Sequence, residues 1–134
     1  MKPFILYREG YKYQLASTYR VQTNILPIAD IVTDYILLSV TGFFTIRQGY
    51  AWDGPSGPTI DTKSAMRGSL VHDAGYQILR LGLLDQATRP QWDGLYRKCC
   101  IEDGMWKIRV FLHFTALRLF GGAAANPSSE RRVI

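Results

Sequence analysis

GYAWDGPSGPTID, residues 49–61, is where the chain changes character. Glycines at 49, 54 and 57 and prolines at 55 and 58 deny it both a strand ladder and a helix, so it reads as a loop. Upstream, the pattern is that of strands. YKYQLASTYRVQT (11–23) is aromatic and β-branched with partial alternation. YILLSV (35–40) and FFTIRQ (43–48) flank a hairpin-like break at Thr41-Gly42.

Downstream the period lengthens. Asp61 or Thr62 caps an expected helix running to Leu81, with Gly82 as its stop. A second helix is expected from Pro90, a favoured first-turn residue, to Met105. A third is expected from Trp106 to Phe120, ended by Gly121-Gly122. Strands first and helices afterwards define an α+β class. One domain over 1–134 is expected: a β-rich part (1–50), a Gly/Pro loop (51–61), a helical part (62–120) and a flexible tail (121–134). A chain of 134 residues buries about two-thirds of its surface on folding, enough for one modest core.

The helical part carries the chemistry. On the first helix Leu70, Val71, Ala74, Ile78 and Leu81 share an apolar arc that packs on the core. Ala65, Ser69, His72 and Tyr76 fall opposite, with Asp73 at their flank. His72 and Tyr76, four apart, meet on one face. On the second helix Asp93, Cys100 and Gly104 form a stripe flanked by Tyr96 and Arg97. The short connection GLLDQATR forces the two helices antiparallel, and the small residues of both stripes permit close approach. Asp93 then faces His72.

A neutral imidazole deprotonates water when one nitrogen meets the substrate and the other donates to a buried carboxylate. His72 takes the role of base and Asp93 that of orienter, with the Tyr76 hydroxyl donating to Asp93. Asp73 points about 100° away from His72 and suits a hard cation instead. Calcium accepts carbonyl oxygens, which the loop at Trp52, Gly54 and Gly57 supplies.

This layout resembles the secreted phospholipase A2 superfamily, most closely its disulfide-free, virus-encoded forms. There a glycine-rich loop precedes HDxxY, and an aspartate follows on a facing helix. The matching positions are the 52–57 loop, His72, Asp73, Tyr76 and, in RPQWD, Asp93, twenty-one residues after His72. The resemblance implies calcium-assisted ester hydrolysis by His72-activated water, acting on a phospholipid of the host envelope. The chain lacks the cysteines that flank HDxxY in the secreted enzymes and has Asp53 and Pro55 in the loop.

A second resemblance covers residues 35–122: GFFTIRQGYAWDGPSGPTI, LVHDAGY, RPQWDGLYRKC and ALRLFGG are similar to a small tailed-phage or prophage protein family of unassigned function. It implies a bacteriophage protein, free or carried in the virion or tail. A non-catalytic virion, tail-tip or host-directed binding protein on the same fold is the alternative. A transition-metal hydrolase would need more ligands than the one spare histidine, His113, provides.

The rest of the composition bounds the partners. The net charge of +5 suits a polyanionic neighbour or simply a soluble surface, and no aromatic-basic or helix-turn-helix pattern points to nucleic acid. No signal peptide is read in MKPFILYREG, so synthesis in the host cytoplasm is expected. Cys99 and Cys100, adjacent and without zinc spacing, read as inert core thiols. Trp92, Trp106, Phe111 and Phe114 read as core. WKIRVFLHFTALRLF is nevertheless apolar on too many sides for a solvated helix, so part of it is expected to meet other virion proteins, a second copy or a membrane surface.

Overall fold

The structure, a computed structural model, describes residues 5, 7–8, 13–54 and 63–127. The loop positions 55–60, including Gly57, the capping positions 61 and 62, and the tail beyond 127 lie outside the described residues.

The strand-rich part forms two antiparallel sheets. One comprises β1 (Tyr7–Arg8), β2 (Tyr13–Leu15) and β7 (Ala51–Trp52), in the order β1-β2-β7. The other comprises β3 (Tyr19–Gln22), β4 (Ile31–Val32), β5 (Ile36–Leu38) and β6 (Phe43–Ile46), in the order β3-β6-β5-β4. The expected single run over 11–23 is thus two strands in different sheets. The chain crosses between them at Ala16–Thr18, where the Thr18 hydroxyl accepts the Gln48 amide at 3.0 Å. The loop also starts later than expected. Ala51 and Trp52 still pair with β2, Tyr13 opposite Trp52.

Three helices follow: α1 (Lys63–Arg80), α2 (Arg89–Glu102) and α3 (Lys107–Ala125). Gly82, at φ +72°, turns the chain out of α1 as its position predicts. A 3-10 turn at Gln86–Thr88 then leads into α2, with the Asp85 carboxylate accepting the Ala87 amide. Pro90 sits in the first turn of α2. Two boundaries differ from expectation. α2 ends at Glu102, and Gly104, at φ +94°, belongs to the turn beyond it rather than to the helical stripe. α3 continues through Gly121-Gly122 to Ala125, for a reason that lies in the site described below.

α1 is the centre of the molecule and is buried on nearly every side. Its apolar arc, Leu70, Val71, Ala74 and Ile78, meets Leu38, Phe44 and Ile46 of the four-stranded sheet. Leu81, past the helix end, is exposed instead. Its opposite side receives α2 at two glycines. A Cβ at Gly75 would sit 2.3 Å from the Trp92 ring, and one at Gly68 would be 3.1 Å from Cys100 Sγ. Gly68 and Gly75 are thus close-approach positions beside the expected Ala65, which is buried with Tyr96 and Cys100 of α2, whereas Ser69 meets the Trp52 indole instead. Trp92 in turn packs on Phe44 with ring centroids 4.9 Å apart, so sheet, α1 and α2 share one core.

Arg67 braces the two halves. Fully enclosed, it reaches the Tyr19 hydroxyl on β3 at 2.8 Å and pairs with Glu102 at 2.9 Å and Asp103 at 3.1 Å. An enclosed guanidinium is tolerated only when its charge is matched in this way.

Candidate functional site

The α1–α2 contact places three side chains of the HDxxY reading together. His72 Nε2 lies 2.8 Å from Asp93 Oδ1, and the Tyr76 hydroxyl donates to the same oxygen at 2.6 Å. The rings of His72 and Tyr76, one helical turn apart, touch with centroids 4.0 Å apart and planes tilted by 37°. Tyr96 of α2 meets the imidazole edge-on from the other side at 5.6 Å. The imidazole is therefore fixed in position and tilt by two phenols and a carboxylate.

Asp93 is completely buried, so its charge needs matching. Burial by itself raises its carboxyl. The hydrogen bonds from His72, Tyr76 and Arg118 outweigh that and hold it below the usual carboxylate range. Arg118 of α3 donates to Oδ2 at 2.7 Å, and Arg89 stands 3.8 Å away, one turn before Asp93 on α2. Because Asp93 is ionised it can only accept, so His72 Nε2 carries the proton. In the neutral ring Nδ1 is then the basic nitrogen. His72 keeps 9% of its side-chain surface open. Among the described residues the buried, unpartnered side-chain nitrogens are Trp92 Nε1 and His113 Nε2, not His72 Nδ1.

Arg89 and Arg118 are the participants that sequence reading missed. Arg89 also donates to the Leu117 and Arg118 carbonyls of α3, at 3.0 and 3.3 Å. This is where the glycine pair acts. A Cβ at Gly121 would lie 2.6 Å from the Tyr76 hydroxyl and 3.0 Å from Arg89 Nη1. Gly121 does not stop α3. It lets the helix close over Tyr76 and Arg89.

Asp73 lies on a different stripe of α1, Ser69–Asp73–Gln77, as its spacing requires. The segment around β7 is pinned along that stripe at two points. The Trp52 indole donates to the Ser69 hydroxyl at 3.0 Å, and the Tyr50 hydroxyl donates to the Gln77 side chain at 3.1 Å. Asp73 sits between these anchors, close enough to the loop for the Asp53 carboxylate to act on it. Burial pushes the Asp73 carboxyl up to about 7, opposed by the Arg80 cation and reinforced by Asp53. The Asp53 carboxylate therefore acts on Asp73 through its charge alone, with no contact between the two side chains described. Carbonyls of a glycine turn such as Gly54, at φ +82°, are the usual complement of a carboxylate that binds a hard cation. Among the described residues no group of three or more His, Cys, Asp or Glu side chains is placed to hold a metal ion.

The other candidates have ordinary places. His113 is half-buried with Nδ1 2.7 Å from the Tyr96 hydroxyl; burial, and then Arg109, lower its basicity. Burial lifts the Cys99 and Cys100 thiols to about 11 and about 12, so both stay protonated and unreactive. A shallow hollow lined by Ser64, Gly104, Met105, Trp106 and Arg109 shares no residue with the His72 couple.

Fold and site together define an α+β protein whose helical layer encloses a histidine–aspartate couple. Comparison with protein-family profiles, curated proteins and solved structures finds no match.

Proposed function

We propose that the chain is a phospholipase A2-like hydrolase in which His72 activates the water that cleaves a phospholipid acyl ester at a phage host's envelope. The observation carrying this reading is the 2.8 Å contact of His72 Nε2 with a buried, ionised Asp93. It leaves Nδ1 as the base. Nδ1 takes a proton from water as the oxygen attacks the acyl carbonyl, and the imidazolium formed is held by Asp93. The proton then passes to the departing alkoxide, giving a free acid and an alcohol. Tyr76 and Arg118 keep Asp93 charged and still during both transfers.

Asp73, with Asp53 and the Trp52 and Gly54 carbonyls, is the set that would hold calcium; Gly57 lies outside the described residues. Calcium bound there would polarise the ester carbonyl.

The test is fatty-acid release from phospholipid vesicles with calcium present. Release that stops on chelation and in His72→Ala is expected. A folded protein that frees no acid from any lipid, with His72→Ala only lowering its melting temperature, would leave the couple a structural network. The chain would then be a non-catalytic virion or host-binding protein.

A further inference from the structure

α3 turns large apolar side chains outward, the wrong way for a helix surrounded by water. Val110, Gly121 and Ala125 turn inward. Ile108, Phe111, Leu112 and Leu119, spaced i, i+3, i+4 and i+11, turn outward, and Phe120 and the preceding Trp106 join them. Their exposure runs from 61% for Leu112 to 80% for Trp106. This corrects the expectation that Trp106 and Phe111 belong to the core. No charged side chain interrupts the outward stripe, whereas Lys107 and Arg109 flank its start.

The helix is long and apolar enough to cross a membrane, but its inner side is committed to the protein through Arg118–Asp93 and the Gly121 contact. It can lie on a bilayer without leaving the fold. Charge selects the occupant. α3 carries no acid; of its three cations Arg118 is committed to Asp93, Lys107 and Arg109 stand at its first turn, and exposed Arg97 of α2 adjoins it, 5.7 Å over the Phe114 ring. Two copies paired through this face would bring like charges together. Lipid phosphates would offset them, and the apolar stripe would enter the acyl boundary.

We infer that the outward face of α3 docks on an anionic phospholipid bilayer, with Trp106 at the lipid–water boundary and Lys107 and Arg109 among the headgroups. The inference concerns binding and holds whether or not His72 turns over.

The experiment mixes the full chain, in chelator, with vesicles of phosphatidylcholine alone or with added phosphatidylglycerol. Of the three tryptophans, Trp52 and Trp92 are buried, so a blue shift of emission would report Trp106. Expected are a shift and co-sedimentation with the anionic vesicles, both abolished in Leu112→Glu/Leu119→Glu. Trp106→Phe should lose the shift but still sediment. Lys107→Gln/Arg109→Gln should weaken binding on the order of 30-fold, at about 1 kcal/mol per cation. The glutamate variants lie on the exposed face and should keep the wild-type circular dichroism. No sedimentation with anionic vesicles overturns the proposal, and so does a wild-type dimer that those glutamates dissociate. Vesicle binding without acid release would refute the hydrolytic reading alone.

Discussion

Gly121 of α3 lies so close to the Tyr76 hydroxyl that a methyl group at 121 would stand 2.6 Å from it. Tyr76 cannot easily retreat, because its oxygen is bound to Asp93 and its ring to His72. Gly121→Ala should therefore push α3 off the site and lower stability by about 1–3 kcal/mol, the usual range for overpacking. Urea denaturation checks it. An unchanged midpoint would mean that α3 does not close over Tyr76 as described.

Asp93→Asn keeps the shape and removes the charge. Arg118 and Arg89 lose their shared anion, and the cost of breaking a buried pair is about 3–5 kcal/mol. The amide can also donate to the imidazole, which would move the ring proton from Nε2 to Nδ1. If the chain hydrolyses esters, turnover should fall on the order of 10⁴-fold, as when a catalytic histidine is left in the wrong tautomer. Nitrogen NMR of His72 should find the proton on Nε2 in the wild type. Finding it on Nδ1 would contradict the assigned roles.

Asp73 gives a prediction whose sign follows from proton counting. The unfolded chain releases this proton near the ordinary 3.8, the folded protein near about 7. Between those values the folded state binds more protons, so stability falls as pH rises through that window. Asp73→Asn should remove that fall and stabilise the protein at pH 8 by on the order of 1 kcal/mol, raising the melting temperature by roughly 4 °C. Added calcium should stabilise the wild type more at pH 8 than at pH 5, and leave Asp73→Asn unmoved. A calcium effect that persists in Asp73→Asn would place the cation elsewhere.

Much of this was legible in the sequence where the geometry is local. Four-residue spacing puts His72 under Tyr76, and a short connection brings α2 back antiparallel, so Asp93 had few places to go. Arg118 was not legible, because its role depends on how α3 lies across the other two helices, which no spacing encodes. Gly121-Gly122 was misread because glycine serves both helix ends and close contacts. The three alanines after it, good helix formers, and the Asn126-Pro127 stop were the signal that the helix goes on. The burial of Trp106 and Phe111 was misjudged for a related reason. A helix apolar all round carries no periodicity to say which side faces in.

Arg67 has a consequence for how the protein is made. Its partners are Tyr19 on β3 and, at the end of α2, Glu102 and its C-cap Asp103. The strands also rely on α1 to cover Leu38, Phe44 and Ile46. Although the strands leave the ribosome first, they have no dry side until about fifty further residues have followed. A chain cut after residue 54 should show no cooperative melting, whereas the full chain melts as one unit. The half of the protein that is synthesised first is the half that must wait.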